Sequence, residues 1–128
     1  MTDTLSIRQM CDAFEVTPRT LRFYEQKELL APLRQGTRRL YTRRDRARLT
    51  LILRGKRFGF SLEDIRQLLE MYDREGNESQ MRRTYALARE RLAQMEAQRA
   101  ELDLAIDELR GEIAKGEAMI ADIRQAAE

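Results

Sequence analysis

The sequence predicts a mainly α protein: a winged helix-turn-helix head with a small β-hairpin wing, followed by a long coiled-coil helix. Three observations carry this. Two short capped helices open the chain. A glycine-centred alternating stretch follows them. An apolar seven-residue repeat then runs through the last third.

The first helix is predicted over residues 6–14, opened by the capping box Ser6-x-x-Gln9. It places Ile7, Met10, Cys11 and Phe14 on one face. Glu15 and Val16 form the turn. Thr17 is the expected N-cap and Pro18 the first residue of a second helix, which runs to about Lys27. Pro32 bars any continuation. Residues 33–42 read as a hairpin, turned at Gln35-Gly36-Thr37. A hairpin directly after a helix-turn-helix is a wing.

Thr42 and Asp45 cap a third helix that ends near Arg57, with Gly59 as its C-terminal residue. Ser61-Leu62-Glu63-Asp64 opens a fourth through about Tyr72, with Leu62, Ile65, Leu68, Leu69 and Tyr72 expected inward. Residues 73–77 read as a polar break.

From about Glu78 the periodicity changes. Heptad position a falls on Tyr85, Leu92, Arg99, Ile106, Ile113 and Ile120, and d on Ala88, Met95, Leu102, Leu109, Gly116 and Ile123. A lone helix with so narrow an apolar stripe cannot bury it. Dimerisation is expected, with Tyr85, Leu92, Met95, Leu102, Ile106, Leu109 and Ile113 on the seam. Folding back on the head would need a sharp turn, for which only Gly111 and Gly116 are candidates. The expected division is 1–73, a DNA-binding head, and 74–128, a dimerisation helix. Gly116 either lies within the seam or marks where the coiled coil ends and a short tail helix over residues 118–126 turns back.

The formal charge of +2 hides an asymmetry, because residues 1–60 hold 14 Lys and Arg against 6 Asp and Glu. A basic head on an acidic helical tail points to a polyanion partner, and an arginine excess suits bidentate phosphate and guanine contacts. The single Cys11 permits no intrachain disulfide, and no stretch is apolar enough for a signal peptide or a membrane span. A cytoplasmic protein without membrane contact is expected. The chain has no histidine, no Gly-rich phosphate loop and no nucleophile elbow. An enzyme is not expected, nor any cofactor or bound metal.

The motifs Thr17-Pro18-Arg19-Thr20-Leu21-Arg22-Phe23-Tyr24-Glu25, Leu29-Leu30, Gly36-x-Arg38-x-Leu40-Tyr41 and Gly59-Phe60-Ser61-Leu62-x-x-Ile65 together resemble the MerR family of bacterial transcription regulators. The resemblance covers residues 5–73 and extends to the tail in type. It implies an antiparallel coiled-coil homodimer on a palindromic double-stranded promoter operator. The operator lies between over-spaced promoter elements. The activating form distorts it so that RNA polymerase engages both. More narrowly, residues 54–65 resemble a branch controlling branched-chain amino acid and fatty-acid degradation. Metal-sensing members carry cysteines around the long helix, whereas residues 73–128 have none. The iron–sulfur branch needs four cysteines, and drug sensors carry a C-terminal ligand domain that a chain of this length does not predict. The effector is not specified; an apolar cleft between subunits, lined by Met71, Met81 and Tyr85, is the expected place for an organic one.

Within this frame Thr17, Arg19, Thr20 and Arg22 are expected at the major groove. Phe23 and Tyr24 cannot share a helix face; one packs, and Tyr24 is the candidate for a phosphate contact. The resemblance makes wing residues Arg38, Arg39 and Tyr41 DNA contacts, against the alternative of a charged, solvated edge. Arg57 is expected on phosphate. Arg43, Arg44, Arg46 and Arg48 read as a long-range field. Cys11 is expected to be a buried structural thiol. Arg99 either pairs with an acid such as Glu96 or Asp103 or snorkels out of the seam. A different class remains open: an architectural coiled-coil protein that binds nucleic acid without sequence preference.

Overall fold

The computed structural model describes residues 3–73 and 78–128. Residues 74–77, most of the expected polar break, and the Tyr72 side chain lie outside the described part. The chain divides into two compact units, Met1–Leu87 and Ala88–Glu128.

In the first unit, α1 (Ile7–Phe14) starts at the expected capping box. The Gln9 N–H donates to Ser6 Oγ and the Ser6 N–H to Gln9 Oε1, satisfying two end donors reciprocally. Glu15 ends it in the left-handed region, at φ 54°. The chain then enters α2 (Pro18–Gln26), capped by Thr17, whose Oγ1 accepts from the Thr20 N–H.

Strands β1 (Leu33–Gln35) and β2 (Arg38–Leu40) pair antiparallel, with Leu33 opposite Leu40 and Arg34 opposite Arg39. Gly36, at φ 62°, makes the turn in a conformation that a side chain would resist. Leu5 exchanges both backbone hydrogen bonds with Tyr41, so the segment before α1 pairs with the base of the wing.

Helix α3 (Arg43–Phe58) opens on the Thr42–Asp45 box and closes on left-handed Gly59. Helix α4 (Leu62–Asp73) follows, its first turn capped by Ser61 Oγ. Helix α3 packs on α4 at Gly55, where a Cβ would stand 2.7 Å from Ile65 Cγ1. The core comprises Met10, Leu21, Tyr24, Leu29, Leu30, Tyr41, Leu49, Ile52, Ile65 and Leu69.

One inward assignment fails: Leu62 is exposed and Leu68 only half-buried, while Ile65 and Leu69 are buried. Ile65 and Leu69 lie four residues apart on the face toward α3, whereas Leu62, at the helix start, falls on the rim beside Phe60.

Helix α5 (Glu78–Ala127) is continuous for 50 residues. Of the two alternatives at Gly116, the continuous helix holds, and the separate tail helix does not form. A glycine inside a helix costs about 1 kcal/mol relative to alanine but keeps its N–H donor. The strong helix formers around Gly111 and Gly116 carry the helix through both. Residues 88–128, the second unit, are this helix alone, with every seam side chain exposed.

Gly55→Ala should destabilise the fold by about 1–3 kcal/mol, because the added methyl overpacks the α3–α4 contact. Urea unfolding of this variant is expected to show a lower midpoint with an unchanged slope; an unchanged midpoint would mean that α4 shifts at no cost.

Candidate nucleic-acid interface

The candidate contacts lie on α2, the wing and the last turn of α3. The phase of α2 is set by the core: Leu21 and Tyr24 turn inward, leaving Arg19, Arg22 and Phe23 outside. Tyr24 is only 3% exposed, whereas Phe23 is 41% exposed with Lys27 Nζ 5.7 Å from its ring centroid. The adjacent aromatics are thus split as expected, but Tyr24 is the one that packs. Burial pushes its phenol pKa up. Thr17 and Thr20 share a hydrogen bond between their hydroxyls, at 2.9 Å.

On the wing, period-two alternation separates neighbours. Arg39 and Tyr41 turn toward the head, and Arg38 turns out. Tyr41 is fully buried, its hydroxyl without a hydrogen-bond partner. That corrects its expected place on a DNA-facing edge: the bridge to Leu5 draws the ring into the core. Arg39 Nε donates to Glu25 Oε2 at 2.7 Å, and Arg34 Nη2 donates to Glu25 Oε1 at 2.5 Å. One carboxylate of α2 therefore clamps both strands of the wing. Burial pushes the Glu25 pKa up, but the hydrogen bonds and charges of Arg39 and Arg34 outweigh it and hold it below its ordinary value. Sequence reasoning missed this clamp. Nothing local signals it, because its partners lie on separate elements of the chain.

The basic residues of α3 are largely engaged. Arg44 and Arg48 both reach Asp73 at the end of α4, and Arg43 and Arg46 pair with Asp3. Arg44's hydrogen bond does most to hold the Asp73 pKa down, with Arg48 adding to it against a smaller effect of burial. Arg48 Nε also donates to the Leu29 carbonyl, and Arg66 Nη2 to that of Lys27, so α2 is held at its C-terminal end by α3 and α4. These local pairings replace the diffuse field expected for Arg43, Arg44, Arg46 and Arg48.

Among the described residues, the side chains of Arg19, Arg22, Arg38 and Arg57 make no ion pair or hydrogen bond, and all four are exposed. A groove of about 370 Å³ runs beside α2, lined by Arg19, Thr20, Phe23, Phe60 and Leu62 among others.

The comparisons with known proteins fit this geometry. Residues 5–72 match the model of the MerR HTH family regulatory proteins, and residues 46–112 match the model described as MerR, DNA binding. The chain belongs to the MerR family. It is a DNA-binding transcription regulator of the MerR type. It is 38% identical over 99 residues to the HTH-type transcriptional regulator ZntR of Escherichia coli K12, covering 75% of this chain and 69% of that protein. Among solved structures it resembles HiNmlR, a MerR family regulator lacking the sensor domain and bound to promoter DNA. The TM-score is 0.63 at 26% identity, over 81% of this chain and 79% of that one. A MerR family regulator from Bacillus cereus gives a TM-score of 0.64 at 30% identity, over 82% and 78% of the two chains.

Elsewhere in this MerR-type chain, Cys11 packs half-buried against the core, and burial, aided by Asp12, raises its thiol pKa. Among the described residues no cluster of three or more His, Cys, Asp or Glu is placed to hold a metal ion. Among the described residues no helix is long and apolar enough to cross a membrane. A cavity of about 100 Å³ between α4 and the start of α5 is lined by Leu68, Met71, Gln80, Arg83 and Thr84, while Met81 and Tyr85 are exposed and do not line it.

Glu25→Gln should loosen the wing and lower stability at neutral pH by about 1–2 kcal/mol, through loss of two charge-assisted hydrogen bonds. A carboxylate with a depressed folded-state pKa stabilises above its unfolded-state value, and that contribution is lost as pH falls through the folded-state value. The stability gap between wild type and Glu25→Gln is therefore expected to shrink on acidification through and below the ordinary carboxylate range. A gap independent of pH would place the effect elsewhere than in the clamp.

Proposed function

We propose that this MerR-type regulator acts as a homodimer whose two heads read a palindromic promoter operator and distort the DNA between promoter elements, so that RNA polymerase is affected through the promoter. The observation that carries the reading is the set of exposed arginines without partners on three neighbouring motifs. Arg19 and Arg22 belong to α2, Arg38 to the wing and Arg57 to the end of α3. Residues 1–73 serve as the DNA-binding head and residues 74–128 as the dimerisation helix. The protein works in the cytoplasm and catalyses no reaction. The genes it controls follow the branch resemblance of residues 54–65, toward branched-chain amino acid and fatty-acid degradation.

In this reading Arg19, Thr20 and Arg22 approach base edges, with Thr17 at the helix cap beside them. Arginine pairs bidentately with guanine, and threonine meets a base or a thymine methyl. Arg38 and Arg57 contact phosphate. Arg39 acts through Glu25, holding the wing in place rather than touching DNA as its first role, and Tyr24 and Tyr41 support the surface from the core.

Arg22→Ala should weaken operator binding by about 1–3 kcal/mol and relax preference at one base pair per half-site. Arg38→Ala should weaken binding to every sequence and lower the salt slope by about one unit. Titrations of both variants on operator and random duplexes at several salt concentrations check this. Equal losses on both duplexes would reduce Arg22 to a phosphate contact. A wild-type affinity ratio near unity would favour the architectural reading.

A further inference from the structure

Resting on the reading that α2 meets base edges, we infer that Arg48 and Asp73 determine base preference without touching DNA. They position the C-terminal end of α2, and through it the base contacts of Arg19 and Arg22.

Little else holds that helix. It is 9 residues long and buries two side chains, Leu21 and Tyr24. Its start is fixed by its own cap, Thr17. Its end runs into Glu28 in the left-handed region, at φ 61°, and a helix end leaves carbonyls without intrahelical donors. Two carbonyls there are taken by guanidinium groups from other helices. Arg48 Nε of α3 donates to that of Leu29 at 2.8 Å, and Arg66 Nη2 of α4 to that of Lys27 at 2.7 Å. Leu29 is itself tied back into α2, because its N–H donates to the Tyr24 carbonyl at 2.9 Å. The bond from Arg48 therefore acts on the backbone close to Arg22.

Arg48 is held from both sides. Its side chain is only 13% exposed, which keeps it off a DNA-facing surface. While Nε holds Leu29, Nη1 donates to Asp73 Oδ2 at 2.5 Å. One planar group thus joins the end of α2 to the end of α4, and the single nitrogen of a lysine would not aim two donors in this way. Asp73 also receives Arg44 Nη2 at 2.7 Å. On charge alone, an acid in a head that binds a polyanion is unfavourable. Its place against Arg48 answers to geometry instead. Both bonds to the end of α2 depend on α4, one directly through Arg66 and one through Asp73.

Base reading needs each donor within hydrogen-bond reach of its acceptor, about 2.7–3.2 Å, whereas general phosphate attraction tolerates a shift. Arg22 lies about one turn from the end of α2. A loosened end therefore costs base preference before it costs general affinity for DNA.

The test compares the full-length wild type with Asp73→Asn, Arg48→Met and Arg48→Lys, each well below its unfolding midpoint. Each is titrated on operator, on operators with single base-pair changes, and on random duplexes. Removing a negative charge by itself tightens binding to all DNA. Asp73→Asn should bind random duplex about threefold tighter yet the operator about threefold more weakly, so that the operator-to-random ratio falls about tenfold. The preference lost should fall at the base pairs whose discrimination Arg22→Ala also lessens. Arg48→Met should lower the ratio as much, and Arg48→Lys should not restore it; if Arg48→Met does not fold, Asp73→Asn decides alone. Tighter binding of Asp73→Asn to both duplexes by one factor would make Asp73 a charge and nothing more. A preference lost evenly at every base pair would make it a general prop of the head. Either result overturns the inference and leaves the base-reading role of α2 standing, whereas a wild-type ratio near unity overturns both.

Discussion

Asp45 lies buried beneath the junction of wing and α3, and its two carboxylate oxygens serve three donors. They accept from the Ala31 N–H, the Thr42 N–H and the Thr42 hydroxyl. The first closes the loop leaving α2, and the other two form the cap of α3. Both ends of the wing are therefore tied to one side chain. Without it three polar groups would lose their partner in a part-buried place, a cost that a small head can hardly absorb. The pairing of Leu5 with Tyr41 and the burial of Leu29, Leu30 and Tyr41 all presuppose that this junction is closed.

Around that fixed point the head divides its arginines into two sets. Asp3, Glu25 and Asp73 take up Arg34, Arg39, Arg43, Arg44, Arg46 and Arg48, and those contacts join the segment before α1 to α3, the wing to α2, and α4 to α3. Exposed pairs of this kind are individually weak. Their effect here is geometric, because each fixes the angle between two elements. The arginine side chains left over in the head are Arg8 on α1, Arg19 and Arg22 on α2, Arg38 on the wing, and Arg54 and Arg57 on α3. A duplex carries its phosphates on a fixed helical lattice, so cations carried on elements fixed in this way can set orientation, with base contacts then supplying sequence preference.

Much of this was legible in the chain. The boxes Ser6–Gln9 and Thr42–Asp45, the Thr17-Pro18 start, the Gly36 turn and the Gly59 stop each encode a local event, and each was found where expected. The long helix α5 was legible because its apolar repeat needs no tertiary partner to be recognised. Gly116 left two alternatives open in the sequence, because a glycine marks a helix end only when the chain departs there; its flanks favour helix, and α5 continues.

What the sequence determined by itself is local or periodic: caps, turns, the amphipathic stripes, the basic head and the family motifs that place this chain among MerR-type regulators. The tertiary structure decided which of two adjacent side chains faces inward. Periodicity says that Phe23 and Tyr24, or Arg38 and Arg39, must part, but not which one turns to the core; the packing of α2 and the pairing of Leu5 with Tyr41 settle that. It also decided which arginines are held. Arg39 and Glu25 are far apart along the chain, as are Arg48 and Asp73, and a charge pair that forms only when distant elements meet leaves no trace in local sequence.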